Sequence, residues 1–240
     1  MKINEFYSPN FDKKKRSLNL ITIIVIHYTG MQSERESILR LCDSKSKVSS
    51  HFLINQNGKI YRLVKDNKIA WHAGKSCWGK YKNINKFSIG IELVNKGHQF
   101  GYTSYKKKQI LSLIKVLKNL IKKYKIKKKN IVGHSDVAPL RKIDPGEKFP
   151  WEDLAKKNIG FWHNCEISYL TKYRKTKLHK KEKTEFINIL KKIGYSIKNL
   201  DKNVFVKNLK AFQRRYRKDL INGFLDKECL IIARSIAKKL

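Results

Sequence analysis

Residues 18–27 read Leu-Asn-Leu-Ile-Thr-Ile-Ile-Val-Ile-His. A run this rich in β-branched and apolar side chains is the pattern of a central strand covered on both faces. It is too short to cross a bilayer, and Asn19 and Thr22 interrupt it. The run continues into Tyr28-Thr29-Gly30, so a histidine stands at the carboxyl end of a core strand. Ligands of open α/β sheets gather at that end of the strands. A hydrogen-bonded structural histidine is the alternative.

Working outward, Ser33 to Asp43 predicts a helix, with Ser33 as N-cap, Glu36 at the capping-box position and Ile38, Leu39 and Leu41 on its apolar face. Val48–Ile54 predicts a second strand, and Asn55-Gln56-Asn57-Gly58 a hairpin turn into Lys59–Val64. Residues 70–79 are rich in Trp and Gly, which suits either the wall of a cleft or simple loop packing. Phe87–Val94 is another core strand, and it carries a carboxylate, Glu92. Burying an unpaired charge costs several kcal/mol or shifts its pKa, so Glu92 either pairs with a basic neighbour or does acid–base work. Ser104–Tyr124 is an amphipathic helix with lysines outside. Asn130–Val132 then delivers the segment His134-Ser135-Asp136-Val137-Ala138-Pro139-Leu140-Arg141-Lys142-Ile143-Asp144-Pro145-Gly146. Its prolines and glycine predict a rigid loop, functional or merely a surface Asx turn.

After a short helix at Trp151–Ala155, a Lys- and Tyr-rich stretch marks a boundary, and three helical patterns follow at Glu185–Ile193, Val204–Tyr216 and Asp226–Lys239. The expected organisation is a catalytic unit over 1–165, a linker over 166–183 and a small three-helix unit over 184–240. The expected class is α/β, a mixed central sheet flanked by helices.

With 41% apolar and 31% charged residues the composition is that of a folded globular chain. The net charge of +36 attracts polyanions of any kind, nucleic acid, anionic membrane or acidic wall polymer alike. No nucleic-acid recognition motif accompanies it, so the expected partners include no specific nucleic acid. The four cysteines, Cys42, Cys77, Cys165 and Cys229, have no CxxC spacing. Together with an N-terminal stretch lacking an apolar signal core, they predict a reduced, cytoplasmic protein. A periplasmic or wall-associated location would need a route not visible in the sequence.

His27, His134 and Asp144 each lie at or beyond a strand end. Two histidines and a carboxylate, with a fourth position open, form a ligand set of catalytic zinc. Zn²⁺ makes hydroxide available near neutral pH. Glu92 can then act as general base, and Lys142 can stabilise an oxyanion.

Five segments carry a resemblance: Ile26-His27-Tyr28-Thr29, Ser50-His51-Phe52, Trp71-His72-Ala73-Gly74, Ile89-Gly90-Ile91-Glu92 and the loop from His134 to Gly146. In this order, over roughly residues 18–155, they resemble the type 2 N-acetylmuramoyl-L-alanine amidases. That family of zinc enzymes includes the anhydromuramyl-peptide amidases and is related to peptidoglycan recognition proteins. The resemblance implies that His27, His134 and Asp144 bind zinc, Glu92 is the base and Lys142 stabilises the transition state. It implies cleavage of the amide between N-acetylmuramic acid, or its 1,6-anhydro form, and L-alanine. His51, Trp71, His72, Ala73 and Gly74 match positions near the family's cleft and are expected to bind substrate. Leu209–Tyr216 and Ile221–Asp226 resemble a three-helix peptidoglycan-binding domain. The competing expectation is a non-catalytic peptidoglycan-binding protein on the same fold, which would not need all five catalytic residues.

Overall fold

Strand pairing extends only as far as both partners reach, and this trims the central strand. In the computed structural model, which describes residues 2–197 and 201–240, the sheet is formed by β1 (Asn4–Glu5), β2 (Ile23–Tyr28), β3 (Phe52–Ile54), β4 (Ile60–Arg62), β7 (Ser88–Leu93) and β8 (Ile131–Gly133). The intervening β5 (Cys77–Trp78) and β6 (Tyr81–Lys82) form a separate hairpin. Residues 18–20, expected in the strand, instead form a 3₁₀ turn. The neighbouring β7 begins at Ser88, opposite Ile23, so upstream of it only the Thr22 amide bonds across, to the Phe87 carbonyl.

The sheet is mixed, in the order β1-β4-β3-β7-β2-β8, and only β3 and β4 run antiparallel. Asn55 shapes their hairpin turn by accepting the Gly58 amide on its carbonyl and the Lys59 amide on its side chain. Helix α1 (Glu34–Cys42) begins as its sequence predicts: Ser33 accepts the Glu36 amide, and the Glu36 carboxylate accepts the Gln32 amide.

Alternation along each strand separates two cores. Ile24, Ile26, Ile89, Ile91 and Ile131 face α2 (Lys107–Tyr124) and meet Leu113, Val116, Leu117 and Leu120. Ile23, Val25 and Val132 belong to the opposite core, shared with Phe186, Leu190, Leu209 and Phe212 of the C-terminal helices. The sheet is therefore covered on both faces, the second cover coming from the far end of the chain.

Four shorter or later helices precede and build that cover: α3 (His134–Val137), α4 (Trp151–Lys156), α5 (Ile167–Lys172) and α6 (Lys180–Ile193). They are followed by α7 (Lys202–Tyr216) and α8 (Lys227–Ala237). Helix α6 starts before its apolar pattern does, because Glu182 accepts the His179 amide and caps an extra turn. The segment expected as a linker, 166–183, holds α5 and the first turn of α6, and its Leu170 and Leu178 are buried. Residues 198–200, within the expected three-helix unit, lie outside the described residues. Among the described residues no helix is long and apolar enough to cross a membrane.

The register pairs Ile23 with Ser88, Val25 with Gly90 and His27 with Glu92. Ser88, Gly90 and Glu92 thus share one face of β7 with His27, while Ile89, Ile91 and Leu93 point the other way. Gly90 is needed there: a Cβ at this position would lie 2.4 Å from the His72 ring. Gly90→Ala is expected to destabilise the fold by about 1–3 kcal/mol through overpacking. A lowered midpoint in urea with an unchanged slope would register it.

Candidate metal-dependent active site

Because β2, β7 and β8 are parallel neighbours, their carboxyl ends bring His27, Glu92 and His134 to one edge of the sheet. The loop after β8 does not leave at once as irregular chain. It makes the single turn α3, with the Asp136 carboxylate accepting the Gly133 amide at 2.8 Å. The Ser135 amide donates to the Asp144 carbonyl at 2.8 Å, tying the loop's return to its start. Gly133 permits this approach, since a Cβ there would sit 2.6 Å from Pro145 Cδ.

The result is a buried triad. His27 Nδ1 and His134 Nδ1 are 3.0 Å apart, and each is 3.1 Å from Asp144 Oδ2. The outer nitrogens show which tautomers are present. His134 Nε2 donates to the Ala73 carbonyl at 3.2 Å, so its Nδ1 carries a lone pair. On the other side, Ser88 Oγ donates to the Ile84 carbonyl and therefore accepts from His72 Nε2 at 3.0 Å. His72 Nδ1 then accepts from His27 Nε2 at 3.0 Å, which leaves His27 Nδ1 unprotonated as well. Two imidazole lone pairs and a carboxylate oxygen face a common centre, with their donor atoms within 4.8 Å of one another. Such a set repels itself unless a cation occupies the centre, and outer nitrogens tied to carbonyl or side-chain acceptors are the usual support of metal-binding histidines. These residues fit a metal ion.

Burial, then the neighbouring His134, lowers the His27 pKa to about 4, so the ring is neutral at pH 7. Burial would raise the Asp144 carboxyl, but the two imidazoles beside it outweigh that and hold it below the ordinary carboxylate range. Glu92 goes the other way. Burial and then Asp144 push it up to about 8, against the pull of Lys142. Its Oε2 is buried and has no hydrogen-bond partner. His27, Glu92, His134, Lys142 and Asp144 all line a cleft of about 330 Å³.

The residues expected to bind substrate take up different positions. Trp71 lines the cleft, with its indole donating to Asp12. His72 also touches the cleft, but both its ring nitrogens are engaged in the Ser88–His27 relay, and the Ala73 carbonyl holds His134. His51 is fully buried beside His72, against Arg16, the Gly90 amide and the Lys68 carbonyl, and does not line the cleft. Gly74, at φ +55°, lies against Arg141. The Arg141 guanidinium donates to the carbonyls of Ala73 and Lys75 and so braces the loop that supports His134. Ser88 and Asp136 were not apparent as site residues in the sequence. The alternation Ser88-x-Gly90-x-Glu92 within an apolar strand was the signal available for the first.

The sequence profile of the N-acetylmuramoyl-L-alanine amidase family matches residues 17–147. The chain is 35% identical to the N-acetylmuramoyl-L-alanine amidase AmiD of Escherichia coli over 232 residues, 91% of this chain and 83% of that protein. It is 36% identical to the 1,6-anhydro-N-acetylmuramyl-L-alanine amidase AmpD of Haemophilus influenzae over 166 residues, 62% of this chain and 88% of that one. Among solved structures, E. coli AmiD in complex with anhydro-N-acetylmuramic acid-L-Ala-D-γ-Glu-L-Lys superposes with a TM-score of 0.80 at 32% identity, covering 95% of this chain and 92% of that one. Pseudomonas aeruginosa AmpDh3 in complex with anhydromuramic pentapeptide also gives 0.80, at 30% identity, covering 95% and 94%.

Two outcomes follow from the geometry. Ser88→Ala leaves His72 free to flip tautomer, and is expected to weaken metal binding by about 10-fold, read by competition with a chromophoric chelator. For Glu92 the folded-state pKa lies above its ordinary 4.5. Ionising it therefore costs stability: nothing below about pH 4.5, an increasing amount as pH rises toward 8, and the full amount above. In metal-free protein Glu92→Gln should stabilise the fold at pH 8 by on the order of 3 kcal/mol and not at pH 4. Thermal melts at the two pH values measure the difference.

Proposed function

The chain belongs to the N-acetylmuramoyl-L-alanine amidase family, and from that premise we propose that His27, His134 and Asp144 hold a zinc ion for hydrolysis of the amide joining the muramic lactyl group to L-alanine. The observation that carries this reading is the convergence of two imidazole lone pairs and a carboxylate at 3.0–3.1 Å beside an unpartnered carboxylate, Glu92. Nitrogen and oxygen donors in this ratio suit zinc and leave a coordination position open.

A bound zinc ion supplies Lewis acidity, which polarises the scissile carbonyl and makes hydroxide available near neutral pH. The protein supplies the rest. Glu92 takes the proton of the attacking water on its free Oε2 and returns it to the leaving amino group of L-alanine. Its raised pKa suits a group that must both accept and release a proton near neutrality. Lys142, half-buried on the cleft wall, donates to the carbonyl oxygen as negative charge develops there. Trp71 offers an apolar wall for the muropeptide.

The two solved relatives bound to anhydromuramyl-peptides support an anhydromuropeptide as a substrate of this chain. The four free cysteines fit a reducing cytoplasm, where such fragments would be recycled. The similarity of 184–240 to wall-binding helices favours polymeric peptidoglycan instead. Product release from whole sacculi measured beside release from purified anhydromuropeptide separates the two.

Removing Zn²⁺ with a chelator should abolish amide cleavage, and adding it back should restore it. Glu92→Ala should keep the metal and lower turnover by about 10²–10⁴-fold. L-Ala-peptide release by Glu92→Ala at the wild-type rate, or metal analysis finding no zinc after replete expression, would sink this assignment.

A further inference from the structure

We propose that the C-terminal helical unit is part of the metal site: Arg215 and Tyr195 position the turn that carries His134, acting through Asp136. The inference rests on the reading of His134 as a metal ligand and deepens it.

Asp136 is the third residue of α3 and is 1% exposed. Besides the Gly133 amide, its Oδ2 accepts Arg215 Nη1 at 2.6 Å, and its Oδ1 accepts the Tyr195 hydroxyl at 2.7 Å. The second terminal nitrogen of Arg215 donates to the Ile131 carbonyl at 3.0 Å, and the guanidinium lies 4.0 Å from the centre of the Trp151 ring. Ile131 and Gly133 are the first and last residues of β8, an edge strand paired only with β2. One arginine thus clips both ends of the strand, and through Asp136 the first turn beyond it.

Tyr195 arrives from a different element, just after α6, and its place is fixed as closely. The Gly79 amide donates to the Gly194 carbonyl at 2.7 Å, and a Cβ on Gly194 would lie 2.4 Å from Trp78. Two side chains more than fifty positions downstream therefore converge on one carboxylate two residues from a metal ligand.

A buried ion pair is weak evidence of net stability, because desolvation offsets its attraction. Its effect is to select one geometry. A three-residue edge strand has few bonds of its own with which to aim His134. Without Arg215 the buried Asp136 charge is unbalanced and the turn must move to solvate it. Metal affinity responds to such changes in the groups that orient a ligand.

The test uses the full chain. In Arg215→Gln, Zn²⁺ affinity by chelator competition should fall about 10-fold. The visible bands of the Co²⁺-substituted protein should shift, and kcat should fall with KM nearly unchanged. Arg174→Gln is the control. It breaks the Arg174–Glu228 pair between the turn after α5 and helix α8, at 2.8 Å, and should lower Tm while leaving metal affinity and the Co²⁺ spectrum as in wild type. Tyr195→Phe removes a single hydroxyl and should show a smaller loss in the same direction, which keeps the question answerable if Arg215→Gln does not fold. Wild-type metal affinity and Co²⁺ spectrum in Tyr195→Phe and in folded Arg215→Gln would overturn the inference while leaving the zinc reading intact. A wild-type protein that takes up neither Zn²⁺ nor Co²⁺ overturns both.

Discussion

Two imidazole lone pairs and a carboxylate oxygen face one another at 3.0–3.1 Å in the interior of this protein, and left to themselves they would part. The surrounding hydrogen bonds prevent it. From His27 the restraint runs through His72 and Ser88 to the Ile84 carbonyl, and from His134 it runs directly to the Ala73 carbonyl. Both routes end on backbone acceptors that cannot donate a proton back, so the direction of every donor is set. Arg141 fastens the loop containing Ala73, and the Ser135 amide fastens Asp144. The donor atoms of the centre are thus held in one arrangement, which is the usual means by which a protein keeps an ion in one geometry.

The same economy governs the strand beside it. On β7 the apolar residues Ile89, Ile91 and Leu93 face the core under α2, and Ser88, Gly90 and Glu92 face the site. Ser88 orients, Gly90 makes room for the His72 ring, and Glu92 offers a carboxylate oxygen with no partner. An unpartnered buried oxygen weakens the fold and is useful only where a water or substrate proton will meet it. Stability is given up at this point for function.

Acidic residues are scarce, 19 against 55 lysines and arginines, and among the described residues the buried ones other than Glu92 are engaged. Asp66 binds Arg62 and Lys123, Asp136 binds Arg215, Asp144 meets the two histidines, and Asp226 and Glu228 share Arg217. The excess of bases leaves the surface strongly basic, which draws polyanions toward the molecule without selecting among them.

The sequence by itself marked the core strands β2, β3, β4, β7 and β8, the long helices, and the residues that meet at the cleft, His27, Glu92, His134, Lys142 and Asp144. Alternation and helical periodicity are local properties, and His27, Glu92 and His134 stand at or near the ends of runs that only a sheet can bury. The motif from His134 to Asp144 was likewise contained in one loop. Depth and long-range pairing were not local. His51 and His72 sit in similar short motifs, yet one is enclosed against Arg16 and the Gly90 amide and the other relays to a ligand, because their places depend on the loops that pack over β7. Asp136 read as a loop residue until Arg215, 79 positions away, met it. Only the tertiary structure could decide that the C-terminal helices complete the core on which the metal site rests, because contacts between distant segments leave no periodic trace in either one.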